Sequence, residues 1–258
     1  MAELRSLDDL GRLVEGSVMA PDRPWAWLAA GWRDFARAPT VGLLYGLGIV
    51  AASWLLVLAL HRYDMAFLVL PATAGFFLIA PLLAAGIYET SRRLELGARV
   101  DLGTALLAWR VPGQLTLMGV VLLLLHLVWI RVALLLFALF FPGKSTALPD
   151  LVQLLLFSPQ SLPFLVTGTI IGLAFALVAF AIAAISIPML IDREVDVVTA
   201  IVTSVLAVTR HRRALALWAG LIVVFTAAGL ATLFIGLALV VPLIGHATWH
   251  AYRDLVPD

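Results

Sequence analysis

The sequence predicts an all-α polytopic membrane protein, with six transmembrane helices arranged as three repeats of an amphipathic helix followed by a hairpin. Three observations lead there. Hydrophobic residues make up 63% of the 258 positions and charged residues 13%, where a soluble domain holds roughly 45–50% and about 25%. Apolar runs such as VGLLYGLGIVAASWLLVLAL (residues 41–60) reach the ~20 residues that cross a hydrocarbon core of ~30 Å. The basic residues gather on one side of the connections.

Taken in order, the opening MAELRSLDDLGRLVEGSVMAPDRPW has acids where a secretory signal needs its apolar centre. Residues 1–24 are therefore expected as a cytoplasmic segment, and 25–258 as the transmembrane domain. Four spans are expected at about 41–60, 66–88, 114–136 and 164–190. The final block, 214–251, would be ~57 Å long as one helix, nearly two bilayer cores. It divides instead into spans at 214–231 and 233–251, with a turn near Gly229–Thr232, because the repeat requires a pair.

With an even number of spans, Arg5, Arg12, Arg23, Arg33, Arg37, Arg92, Arg93, Arg99, Arg110, Arg193, Arg210, Arg212, Arg213 and Arg253 fall on one side. Arg62 and Lys144 fall on the other. Fourteen against two places both termini in the cytoplasm by the positive-inside rule.

The repeat shows in WLAAGWRDFARAPTVGLLYG, TALLAWRVPGQLTLMG and VTSVLAVTRHRRALALWAG. Each passes from a short amphipathic stretch through a basic or proline-containing break into a span with an early glycine. The next span carries one late proline each time: Pro81, Pro188 and Pro242. The connection between hairpin arms is short in the first copy, long in the second (about 137–163) and minimal in the third. Four blocks, WLAAGWRDFARAPTVGLLYG, GFFLIAPLLAAGIYETSRRLELG, SIPMLIDREVDVVTAIVTSVLAV and GHATWHAYRDL, resemble the family of predicted bacterial integral membrane proteins catalogued as domain of unknown function 2189. The resemblance runs from residue 27 to 255. It implies six spans in a bacterial inner membrane, and it implies no activity, cofactor or catalytic residue.

Candidate chemistry is sparse. The chain has no cysteine, which excludes disulfides and thiolate ligands or nucleophiles. Its net charge of +1 is spread over many loops and does not suggest nucleic acid. No nucleophilic triad, phosphate-cradling glycine loop or dinucleotide fingerprint occurs, so no catalytic residue, metal or cofactor is expected, and enzyme is the least favoured class.

Trp25, Trp27 and Trp32 precede the first span with Arg33 and Arg37, as in a helix lying at the lipid interface. These residues, with Arg92, Arg93, Arg210, Arg212 and Arg213, are candidate contacts for anionic head groups or a partner; plain positive-inside anchoring accounts for them equally. Gly42, Gly46, Gly48, Gly168 and Gly172 would allow close helix approach. Arg131 is the one charge with apolar sequence on both sides. From Gln114 it lies ~26 Å along the helix, at the outer interface beside Trp129 if the span ends near 136. If the span runs to Phe141, Arg131 is deeper and belongs, with His126, to a substrate path or an ion pair.

His246 and His250 stand one helical turn apart. Four residues after the three prolines come Ala85, Asp192 and His246; eight after come Glu89, Asp196 and His250. Packing of the even spans would gather Glu89, Asp192, Asp196, His246 and His250 at a cytoplasmic mouth. There they would form a carboxylate–imidazole ion pair, hold a divalent cation, or simply mark polar helix ends. Because the spans carry few mid-membrane polar residues, the expected function is a non-catalytic scaffold or accessory subunit in contact with membrane lipids and a larger complex or a second copy. The alternative is a transporter or channel for ions or small molecules.

Overall fold

A computed structural model describes residues 19–108, 113–143, 154–155 and 157–257. The chain forms eleven helices of four or more turns or shorter connecting pieces among these residues. Helix α1 is Arg23–Arg37 and α2 is Pro39–Arg62, each with proline at its first or second position, where the missing N–H costs nothing. After a 3₁₀ turn at Ala66–Leu68 come α3 (Val69–Leu83) and α4 (Ala85–Glu95). Helix α5 (Leu102–Leu107) opens on a capping box in which Asp101 and Thr104 satisfy each other's amides. Then follow α6 (Gln114–Phe140), α7 (Ser161–Ala183) and α8 (Ser186–Asp192). The last three are α9 (Val197–Arg210), α10 (Arg212–Ala231) and α11 (Leu237–Leu255).

Among the described residues, five stretches are long and apolar enough to cross a membrane: Pro39–Arg62, Ala66–Glu95, Gln114–Phe140, Ser161–Asp192 and Arg212–Ala231. The expected sixth forms a separate helix, α11, but its second half carries His246, His250, Arg253 and Asp254 and it is not among the five. The expected division of 214–251 into two helices holds; the turn falls at 232–236, slightly later than Gly229–Thr232. Helix α6 continues to Phe140, into what was expected as a loop. Arg5, Arg12, Arg110, Lys144 and most of 1–24 lie outside the described residues.

Two of the long apolar stretches are broken: Ala84 separates α3 from α4, and Ala184–Ile185 separates α7 from α8. Proline removes a donor and crowds the carbonyl four residues earlier; for Pro188 that carbonyl is Ala184, at the break. In hydrocarbon the freed groups need partners from the protein, and neighbouring hydroxyls supply them. Tyr45 Oη donates to Leu83 O (2.7 Å) and accepts from Gly86 N (3.3 Å). Ser204 Oγ donates to Ala181 O (2.7 Å) and accepts from Ile185 N (3.2 Å). Each break is thus closed by one side chain from another helix.

Helix α11 is the hub, packed against α1, α2, α4, α8 and α10. Trp249, Tyr252 and His246 are fully buried on it. Close approach explains the burial: an added β-carbon would meet Ala247 of α11 from Gly31, and the Ala238 carbonyl from Gly46. Gly42 and Gly172 are also tightly covered, whereas Gly48 and Gly168 face open space, so only part of the expected small-residue set mediates packing. The largest core cluster joins Trp27, Tyr88, Met189, Trp218, Trp249 and Tyr252, from five helices. Helices α2, α6 and α7 instead expose leucines and valines along their length, as lipid-facing surfaces do.

Candidate functional site

Polar groups concentrate where α1, α4, α8 and the second half of α11 meet. On α1, Trp27, Gly31, Asp34 and Phe35 share one face at helical spacing, and all four are buried. That face puts the Asp34 carboxylate against α4 and α11. Ser91 Oγ donates to Asp34 Oδ2 (2.9 Å) and His250 Nε2 donates to the same oxygen (2.8 Å). Ser91 Oγ also lies 2.7 Å from His246 Nδ1. With the single Ser91 proton given to Asp34, His246 Nδ1 is the donor to Ser91 and its Nε2 carries the lone pair. That Nε2 is buried without a partner. Burial pushes the Asp34 carboxyl up, but the bond and charge from His250 and the bond from Ser91 outweigh it and hold it below its ordinary value.

Four more polar residues of GHATWHAYRDL are engaged one by one. Trp249 Nε1 donates to Glu95 (3.0 Å), and Arg253 donates to Glu95 (3.2 Å) and Asp192 (3.3 Å). Tyr252 Oη donates to Asp192 (2.7 Å) and accepts from Arg193 Nε (2.9 Å). Asp254 accepts from Trp27 Nε1 (2.7 Å) and from both Arg23 nitrogens Nε and Nη2. The final helix is clasped by charges from α1, α4 and the α8 end.

The five residues expected at one mouth are divided among these clasps. His246 and His250 share the Asp34 cluster, and Asp192 joins the Tyr252–Arg253 cluster. Glu89 is held by Arg92 (2.8 Å) and Arg93 (2.6 Å) on its own helix. Asp196 is exposed and caps α9, accepting from the amides of Val198 and Thr199 (2.9 Å each); the Thr199 hydroxyl bond, ahead of those amides, keeps its carboxyl below the ordinary value. Glu89, Asp196 and His250 therefore have partners other than one another. The shared proline offset misled because the bends at the three prolines differ: a break after Pro81, a break before Pro188, and a continuous helix through Pro242. Among the described residues no three His, Asp or Glu side chains gather as metal ligands would.

Of the expected lipid contacts, Trp25 and Trp32 are about half exposed, and Arg33, Arg37, Arg210, Arg212 and Arg213 are exposed. Trp27 is not a lipid contact. It is buried, set edge-on to Trp218 and bonded to Asp254, because it lies on the opposite face of α1 from Trp25 and Trp32. Arg92 and Arg93 are partly buried on Glu89.

Within the membrane, His126 Nδ1 bonds Gly75 O (3.1 Å) and Trp129 Nε1 donates to Pro71 O (2.9 Å). Both tie α6 to backbone carbonyls of α3, so His126 is a staple and not a path lining. Arg131 is exposed on the outward face of α6, in a shallow groove with Leu124, Leu127, Val128, Val132 and Leu135. It is ~26 Å from Gln114 and ~14 Å from Phe140 along the helix. Trp129 and its bond to Pro71 set its level near the start of α3. Arg131→Leu should therefore leave the melting temperature of purified protein within ~2 °C of the parent, since a snorkelling charge has little desolvation to offset. A cavity of ≈500 Å³ between α3, α6 and α7, lined by Phe67, Pro71, Trp129, Phe137, Phe164 and Gly172 among others, is apolar.

Sequence reasoning missed Asp34, Ser91, Tyr45 and Ser204. Asp34 left a signal, a carboxylate on the apolar stripe of an amphipathic helix; the Tyr45 and Ser204 hydroxyls left none, because their partners are carbonyls and amides at breaks far along the chain, and Ser91 left none, because its partners Asp34 and His246 stand on two other helices.

Residues 69–192 match the family model described as "Predicted integral membrane protein (DUF2189)". No curated protein and no solved structure matches the chain.

Proposed function

We propose that this chain, whose residues 69–192 belong to the family of predicted integral membrane proteins DUF2189, is a non-catalytic scaffold or accessory subunit of a membrane complex. Its six membrane helices form three hairpins, each preceded by a shorter helix (α1, α5 and α9). Both termini lie on the cytoplasmic side of a bacterial inner membrane, in keeping with the one-sided arginines. The exposed Trp25 and Trp32, with Arg33, Arg37, Arg210, Arg212 and Arg213, face anionic head groups or a partner's acidic surface.

One observation carries this reading: the polar side chains are spent on joining helices. His246, Trp249, His250, Tyr252, Arg253 and Asp254 each bond a residue of another helix or helix end. His126 and Trp129 are spent the same way inside the membrane. A transport path needs polar groups facing a passage, and the ≈500 Å³ cavity between α3, α6 and α7 is lined by mainly apolar side chains, with Thr169 and Trp129 among them. The buried, unpartnered Nε2 of His246 favours the second reading, an ion or small-molecule transporter. Extraction in mild detergent separates the two. A partner co-purifying in fixed ratio supports the scaffold; a lone species carrying a bound small molecule or ion overturns it in favour of transport.

A further inference from the structure

We infer that the turn joining α10 to α11 lies inside the hydrocarbon of the outer leaflet, covered by lipid acyl chains, so that the third hairpin turns back before it reaches water. The inference rests on the orientation proposed above, with the hairpin tips on the outer side.

Level is the first argument. Trp54 Nε1 donates to Leu233 O (3.1 Å), and the Trp54 ring stands edge-on to Phe234. The turn is therefore level with Trp54 on α2. Helix α2 continues for eight residues past that point, to Arg62, or about 12 Å at 1.5 Å per residue. That extension exposes Leu55, Leu56 and Leu58 at 67%, 51% and 58%. Its polar end comes only at His61, Arg62, Tyr63 and Asp64. Apolar side chains exposed above the turn require hydrocarbon there, and the turn lies beneath it.

Composition is the second. A water-facing turn uses Gly, Asn or Asp where φ is positive. Here the two left-handed residues are Leu233 (φ 54°) and Phe234 (φ 69°), and Leu233 and Ile235 are each 64% exposed by the protein itself. The turn tolerates backbone crowding to keep its outer surface apolar.

Hydrogen bonding is the third. Bare amides are not tolerated in lipid, and the seven consecutive amides from Phe234 to Val240 all donate within the hairpin. Phe234 N reaches Leu230 O, Ile235 N reaches Thr232 O, and Gly236 N reaches Thr232 Oγ1 (2.7 Å). Leu237, Ala238, Leu239 and Val240 continue to Phe234, Ile235 and Gly236 carbonyls. Thr232 Oγ1 itself donates to Gly229 O (2.8 Å), and Trp54 occupies the Leu233 carbonyl. A turn built for water has no need of this closure.

The absence of native cysteine makes single-cysteine labelling clean. Leu233→Cys, Ile235→Cys and, for the first hairpin tip, Tyr63→Cys would be reconstituted in phospholipid vesicles and exposed on both faces to a charged maleimide. Tyr63 is 74% exposed and next to Asp64, so Tyr63→Cys is expected to label readily. Leu233→Cys and Ile235→Cys should label at least tenfold more slowly, and at the Tyr63→Cys rate once the membrane is dissolved in SDS. Labelling of either turn position in vesicles within threefold of Tyr63→Cys overturns the inference. If Tyr63→Cys is itself refractory in vesicles, the tip of the first hairpin does not reach water, and the inference, whose level is set against that tip, fails with it.

Discussion

Gly46→Ala should destabilise the protein by at least about 3 kcal/mol, at or above the upper end of the usual range for overpacking, and detergent-solubilised protein should melt early or not accumulate. The added β-carbon would sit 2.1 Å from the Ala238 carbonyl oxygen and 2.7 Å from its carbon. These are backbone atoms, so no side-chain rotation relieves the clash and α2 must move off α11. The Ala238 carbonyl is also the one that Pro242 deprives of its helical donor, and the bare Gly46 backbone is what lets it lie against α2. Gly48→Ala is the control. It is two residues away, with nothing within 4 Å of its added carbon, and should be neutral or slightly stabilising, since alanine favours a helix by about 1 kcal/mol over glycine. Equal melting temperatures for the two variants would show that α2 and α11 are not in contact at Gly46.

Asp34→Ala should cost about 3 kcal/mol and loosen α1 from the rest of the fold. The carboxylate is 5% exposed and accepts from His250 and Ser91 on two other helices. Removing one partner of a buried pair costs about 3–5 kcal/mol; the lower figure applies because the His250 side chain is 31% exposed and partly screened by water. Limited proteolysis after Arg23 or Arg37 should quicken in parallel with the loss in melting temperature. The pH dependence has a definite sign. The folded carboxyl is held below its ordinary value of 3.8, so its contribution is fully present above that value and is lost as pH falls through the lower folded one. The gap in melting temperature between parent and Asp34→Asn should narrow as the pH falls below ~4. A gap that instead widened below ~4 would mean that Asp34 is protonated in the native state.

Much of the molecule was legible in advance. The five long apolar stretches lie close to their expected positions, and Arg23–Arg37 and Val197–Arg210 are helices where amphipathic stretches were expected. The polar cluster was legible only in its membership. His246, His250 and Asp192 do lie in the polar region around α11, but the partner expected for His250 was Glu89 or Asp196, and the structure supplies Asp34. An offset counted from prolines assumes equal bends, and three prolines in different local contexts bend three helices differently. Trp27 was grouped with Trp25 and Trp32 by proximity along the chain, although at 100° per residue it faces the other way.

What the sequence determined by itself is residence in a membrane and the approximate limits of the long apolar stretches. These follow from transfer free energies that add residue by residue along a local stretch, so they need no knowledge of neighbours. Tertiary structure alone decided that the polar helix α11 is the central one. It decided that Tyr45 and Ser204 close the two broken stretches, and that Asp34 meets His250 across 216 residues of chain. Such contacts depend on how each helix is rotated and crossed against its neighbours, and in lipid, where side chains on every face are apolar, hydropathy carries almost no information about rotation. A single bare glycine at the crossing point, as at Gly31 and Gly46, is what fixes it.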